Sequence, residues 1–195
     1  MRLFVALLLE PGLLDSLASF QRRQQKADTS GSVRWVHPEG IHLTLKFLGE
    51  VPSSRLPEIV RALDSALRER QAPVLGLGST GAFPNAKHPR VLWVGIDDTG
   101  TALGEIVGAV EEAMAGLGWE REGRAFQAHL TLGRVRETAP PGASGGPGPA
   151  FVATRLPPVE AQRHPRVALM QSHLGPGGAR YESLHVWELG SAPFA

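Results

Sequence analysis

His42-Leu43-Thr44-Leu45 and His129-Leu130-Thr131-Leu132 are the same four residues, 87 positions apart (129 − 42) in a chain of 195. Each copy sits in a run that reads as a β-strand. Successive strand side chains point to opposite faces, so His42 and Thr44 share one face and Leu43 and Leu45 the other. The same holds for His129 and Thr131 against Leu130 and Leu132. Two rigid elements therefore each offer an imidazole and a hydroxyl, backed by leucines to bury. Two histidines can divide the work of proton acceptor and proton donor, as a phosphoryl displacement near neutral pH requires. One such strand alone is ordinarily structural; two in matching contexts point to chemistry.

Outward from the repeat, the two halves share a grammar. Residues 2–9 read as a buried strand, and Pro11 opens a helix with Leu13, Leu14, Leu17 and Phe20 at helical spacing. Residues 33–36 form a short extended piece, stopped by the turn sequence His37-Pro38-Glu39-Gly40. The first repeat strand spans 41–48. Ser53 or Ser54 then caps a helix striped by Leu56, Ile59, Val60, Leu63 and Leu67. In the centre, 74–81 and 91–96 read as strands. Thr99 or Thr101 caps a third helix with Leu103, Ile106, Val107, Val110 and Met114, ended by Gly116 and Gly118. The second repeat strand spans about 126–135. Residues 138–150, rich in Pro, Gly and Ala, read as a flexible surface loop. Strands at 167–174 and 181–189 flank Gly175-Pro176-Gly177-Gly178 as a hairpin. The expected fold is α+β: one bilobal domain over 1–195, with duplicated antiparallel-sheet lobes and outer helices. A pseudo-twofold arrangement brings the two H-x-T-x strands to a central cleft.

The composition narrows the function. Lys and Arg number 20 against 19 Asp and Glu, a formal net charge of +1, so affinity for a polyanion must come from a local patch. Arg34, Lys87, Arg90, Arg136, Arg166 and Arg180 are candidates for its edge. Cysteine is absent, which fits a reducing compartment and a cytoplasmic location. Residues 3–9 are apolar, but Glu10-Pro11-Gly12 follows where a signal peptide needs a small-residue cleavage site. No apolar run approaches the roughly 20 residues of a membrane span. There is no Gly-x-x-x-x-Gly-Lys-Ser/Thr loop, which disfavours an ATP-driven ligase of that type. Nothing resembles a His-Glu-x-x-His pattern, so no metal and no cofactor is expected. His37 and His88 read as surface residues. His164, His173 and His185 lack a repeated context and read as non-catalytic.

The pair His42-Leu-Thr44-Leu-Lys-Phe-Leu-Gly and His129-Leu-Thr131-Leu-Gly-Arg resembles the two signatures of the two-histidine phosphoesterases. Within them the chain resembles the RNA 2′,3′-cyclic phosphodiesterases, long called 2′-5′ RNA ligases. Arg2-Leu-Phe-Val-Ala, Trp35-Val36, Gly81-Ala-Phe83-Pro84, Pro89-Arg90-Val-Leu-Trp93, Ser172-His-Leu and Gly178-Ala-Arg180-Tyr181 extend the likeness over nearly the whole length. The resemblance implies metal-independent hydrolysis of RNA 2′,3′-cyclic phosphate ends, or of related small cyclic nucleotides, to 2′-phosphomonoesters by a monomer. It implies His42 as proton donor to the departing 3′ oxygen and His129 as acceptor from the attacking water. Thr44 and Thr131 would hold the phosphate, Phe47 would stack a nucleobase, and Arg134 would lie near the substrate. Phe47 and Arg134 are out of phase with their histidines in a regular strand, so a bulge or strand end is needed to bring them to the cleft. Lys46 is in phase, and either adds positive potential or is solvated. Two alternatives keep the fold: 2′-5′ RNA ligation by the reverse-type reaction, and a non-catalytic RNA-binding module.

Overall fold

The computed structural model describes residues 1–29, 31–136, 147–175 and 178–190. Its strands are β1 (Arg2–Leu7), β2 (Val33–Trp35), β3 (Leu43–Glu50), β4 (Val74–Phe83), β5 (Val91–Asp98), β6 (His129–Val135), β7 (Gln162–Arg163), β8 (Arg166–Gly175) and β9 (Gly178–Glu188). The helices are α1 (Pro11–Ala27), α2 (Leu56–Leu67), α3 (Ala102–Gly116) and the short α4 (Pro147–Val152). No helix among the described residues is long and apolar enough to cross a membrane. Of the stretch read as loop over 138–150, residues 138–146 lie outside the described residues, and 147–150 open α4.

The strands form one curled sheet in the order β7-β4-β5-β6-β3-β1-β8-β9, with β2 also paired to β6. All the strand pairings within it are antiparallel. The two lobes are thus two halves of one sheet, and the H-x-T-x strands β3 and β6 meet in its middle. They meet at a single pair, Leu43 opposite Leu130. These are equivalent residues of the repeat in antiparallel register, so a local twofold axis runs between them. The duplication extends further. On one side Ala6 faces Thr44 and Phe4 faces Phe47; on the other Trp93 faces Thr131 and Val91 faces Arg134. Each number of the second set exceeds its counterpart by the same 87.

Helix α1 buries Leu13, Leu17 and Phe20; α2 buries Ile59, Leu63 and Leu67; α3 buries Leu103, Ile106, Val110 and Met114. Together with Leu43, Leu45, Leu130 and Leu132 they make one core on one face of the sheet. Burying a leucine side chain is worth about 2 kcal/mol, so the four repeat leucines hold the strands by one face and leave the other to the cleft. A smaller cluster of Phe4, Ala6, Ala168 and Met170, with Leu8 and Tyr181 against it, lines that opposite face in the first half.

Helix starts depart from the sequence reading. Ser53 and Ser54 lie in a 3₁₀ turn, Ser53–Arg55, and Arg55 occupies the cap position of α2. Thr101 stands at the N-cap of α3 but its hydroxyl donates to Glu105 Oε1 at 3.0 Å rather than capping a backbone N–H. Both helices are held instead by packing of their apolar stripes.

Candidate active site

A cavity of about 660 Å³ opens on the concave face over the β3–β6 junction. His42, Thr44 and Phe47 line it from one half, and His129, Thr131 and Arg134 from the other. Continuing the Leu43–Leu130 register by one residue sets His42 against Thr131 and Thr44 against His129. The six residues named from the sequence therefore share one cavity as three twofold-related pairs.

Phe47 and Arg134 reach the cavity because both strands carry a bulge at the same place. Val5 faces Lys46 while Ala6 faces Thr44, leaving Leu45 as the extra residue of β3. Leu92 faces Gly133 while Trp93 faces Thr131, leaving Leu132 as the extra residue of β6. The phase slip is visible in burial: Leu45 and Lys46 are consecutive and both buried, as are Leu132 and Gly133. Lys46 consequently turns away from the cleft, against both sequence readings of it. Its ammonium is buried and donates to Glu111 Oε2 at 2.7 Å and to the Glu120 carbonyl at 2.9 Å. At the matching bulge the Gln21 side chain of α1 does the pinning, donating to the carbonyls of Leu132 at 2.9 Å and Val36 at 2.7 Å. Gly133 must lack a side chain there, because a Cβ would collide with Val33 of β2.

The imidazoles are oriented by one device used twice. His42 Nδ1 lies 2.8 Å from the Gly40 carbonyl, and His129 Nδ1 lies 2.8 Å from the Gln127 carbonyl. A carbonyl only accepts, so Nδ1 carries the hydrogen in both rings. Nε2 is then the atom left to gain or lose a proton. Aromatic rings fix the planes: Phe4 stacks on His42 at 4.8 Å and Tyr181 meets it edge-on at 4.9 Å. Phe83 meets His129 edge-on at 5.0 Å, with Trp93 at 6.2 Å behind. Gly81 leaves the space that the Trp93 indole fills. The enclosure of His42 has an electrostatic consequence. Burial pushes its imidazole from 6.5 down to about 4, only partly opposed by the Gly40 hydrogen bond.

Known proteins similar in sequence fix the family. The RNA 2′,3′-cyclic phosphodiesterase of Methanothermobacter thermautotrophicus is 30% identical over 190 residues, spanning 96% of this chain and 98% of its own. That of Archaeoglobus fulgidus is 36% identical over 140 residues, covering 72% of this chain and 76% of its own. Residues 7–93 match the family model of LigT-like phosphoesterases. The chain belongs to the LigT-like phosphoesterases. A solved structure from Thermus thermophilus superposes on this phosphoesterase with a TM-score of 0.76 at 28% identity, over 98% of this chain and 99% of that one. Escherichia coli LigT, solved with 3′-AMP, shares the fold at a TM-score of 0.73 and 23% identity, over 96% and 97% of the two chains.

Other residues fall differently in this LigT-like fold. Of the six basic residues suggested for the cleft edge, only Arg34 lines the cavity. Arg166 instead pairs with Glu10 at 3.0 Å. His37 is exposed but stands on the cavity wall, and His88 lies away from it. His164 is fully buried, its Nδ1 accepting the Glu10 N–H at 3.0 Å, and burial lowers its pKa. The wall also carries residues that the sequence reading did not assign to the site, among them Arg2, Phe4, Phe83 and Tyr181. Arg2 alternates with Leu3 on the first strand and so shares the face of Phe4, a signal that was present in the period of two.

Proposed function

We propose that this phosphoesterase opens RNA 2′,3′-cyclic phosphate ends by paired general acid and general base catalysis, giving 2′-phosphomonoesters. What carries the reading is the twofold-related pair of histidines, each with Nδ1 tied to a carbonyl and Nε2 free. Water attacks phosphorus and gives its proton to His129 Nε2. The bond from phosphorus to the 3′ oxygen breaks, and His42 Nε2 supplies the proton that oxygen takes. Attacking and leaving oxygens lie in line, so the two groups must work from opposite sides of the phosphate. Both Nδ1–H bonds persist throughout, so neither ring has to turn. Each proton transfer is worth about 10²–10⁴-fold in rate.

Thr44 and Thr131 donate hydroxyl hydrogen bonds to the non-bridging oxygens, and Arg134 offsets their charge. Phe47, 68% exposed at the rim, offers a stacking face for the terminal base. Acting as donor demands a protonated His42, which the free site disfavours. The phosphate anion itself restores the proton, so His42 becomes an acid only with substrate bound. The scheme assigns every proton to a side chain and asks nothing of a metal. The cysteine-free composition agrees with a cytoplasmic enzyme.

The test is to incubate the protein and EDTA with a short RNA ending in a 2′,3′-cyclic phosphate, reading the product by mass spectrometry. Conversion to a 2′-phosphate is expected. A 3′-phosphate would reverse the assignment of the leaving oxygen. Activity that appears only with added metal would overturn the two-histidine mechanism.

A further inference from the structure

Each imidazole of the pair has an aromatic ring standing edge-on to it at nearly the same distance. Phe83 meets His129 at 5.0 Å and 89°, and Tyr181 meets His42 at 4.9 Å and 84°. Both rings line the cavity. The duplication does not produce this likeness, because Phe83 lies on the strand next to β5 and Tyr181 on the second strand out from β1. Packing asks for a ring beside each histidine, and at His129 a phenylalanine supplies it. At His42 the ring carries a hydroxyl. The chain has seven Phe and one Tyr, so its one phenol stands beside the histidine proposed as the acid.

The ring of Tyr181 is fixed. The ring centroids of Phe4, His42 and Tyr181 form a triangle with sides of 4.8, 4.9 and 5.5 Å. Gly40, whose carbonyl holds His42 Nδ1–H, lies so near that an added Cβ would stand 3.3 Å from Tyr181 Cδ2. The hydroxyl is placed differently. Its oxygen makes no hydrogen bond to the described residues and is not buried. A phenol with its ring packed and its hydroxyl unpaired, in a cavity wall, can bond what the cavity holds.

We propose that Tyr181 is a further catalytic residue, whose hydroxyl donates a hydrogen bond to the 3′ oxygen as it leaves phosphorus. This rests on the cyclic phosphodiesterase reading above. The oxygen that takes the His42 proton must lie within hydrogen-bond reach of Nε2, and so close to the ring that touches His42. As a bridging ester oxygen it is a weak acceptor. Negative charge gathers on it while its bond to phosphorus breaks, so the phenol's bond strengthens in the transition state. His42 supplies the proton that the oxygen keeps, and Tyr181 retains its own. The attacking water needs no such donor, because it loses a proton and ends bonded to phosphorus. Phe83 therefore suffices beside His129.

Tyr181→Phe keeps the ring and removes only the hydroxyl. With native circular dichroism it should lower the single-turnover rate on a 2′,3′-cyclic nucleotide by about tenfold. A second readout separates the hydroxyl from the hold of the ring on His42. The wild type should bind adenosine 2′-monophosphate about fivefold tighter than its 3′-deoxy analogue, and Tyr181→Phe should bind the two within about twofold. A wild-type rate in Tyr181→Phe would overturn the proposal. A slower Tyr181→Phe that keeps the full preference would overturn it too, because the side chain would then act only by placing His42. No turnover by the wild type, with the preference present and lost in Tyr181→Phe, would overturn the phosphodiesterase reading and leave the contact to the 3′ oxygen standing.

Discussion

The enclosed imidazole of His42 should titrate differently with and without an anion beside it. In the free protein its pKa is held at about 4 by burial under Phe4 and Tyr181. A singly charged phosphodiester about 4 Å from Nε2, at an effective dielectric of about 20, attracts the protonated ring by about 4 kcal/mol. At 1.36 kcal/mol per unit that raises the pKa by about 3, to near neutrality. Linkage makes the effect reciprocal: the anion should bind up to about 10³-fold tighter as pH falls from about 7 to about 4. The sign follows from the complex holding the proton that the free site gives up. Heteronuclear NMR of the His42 ring in His129→Ala protein, with and without a 2′,3′-cyclic nucleotide, measures both ends, since that variant does not consume the ligand and the ligand's charge is constant. Phe4→Ala should bring the free value back toward 6.5. A free pKa already near 6.5, or one unmoved by ligand, would refute the substrate-protonated acid.

Four other outcomes follow from contacts already described. Thr44→Ala or Thr131→Ala should each slow cyclic phosphate opening by a factor equivalent to about 1–3 kcal/mol, the worth of one hydrogen bond to a charged group, measured as kcat/KM. Gln21→Leu should cost about 1–3 kcal/mol in urea unfolding and raise KM, because the Leu132 bulge that presents Arg134 loses a donor. Glu111→Ala, which leaves the Lys46 ammonium buried against one carbonyl, should cost about 3 kcal/mol or more; Lys46→Met with Glu111→Leu should recover most of it in the same measurement. Finally, His42 folded is depressed below its unfolded value of 6.5, so its contribution is whole above pH 6.5 and is lost as pH falls toward 4. Burial of His164 acts in the same direction, and denaturant titrations at pH 7 and pH 5 should show the lower stability at pH 5.

Much of the fold was legible because the repeat carries it. Strand periodicity assigned the leucine and histidine faces correctly, and the duplicated H-x-T-x pattern placed β3 and β6 together at the centre. The shared cavity of His42, Thr44, His129 and Thr131 follows from that symmetry alone. What a period of two cannot supply is a phase slip. The bulges at Leu45 and Leu132 depend on partners far away in sequence, Glu111 and Gln21, and they decide that Phe47 and Arg134 enter the cleft while Lys46 leaves it. The offset of 87 applies to β1 and β5 as well, but residues 2–7 and 89–94 share no identical residue under it, so only the strand registers reveal that part of the duplication. Arg34 was one of six basic residues with equal standing in the sequence. Only the β2–β6 register, which no local pattern encodes, separates it from the rest.

The central claim is that two symmetry-related histidines move two protons in one displacement. Its most direct test is the single-turnover rate on an RNA 2′,3′-cyclic phosphate end for wild type, His42→Ala and His129→Ala, each checked for native circular dichroism. Both folded variants should lose about 10²–10⁴-fold. A folded His42→Ala or His129→Ala protein that turns over at the wild-type rate would contradict it.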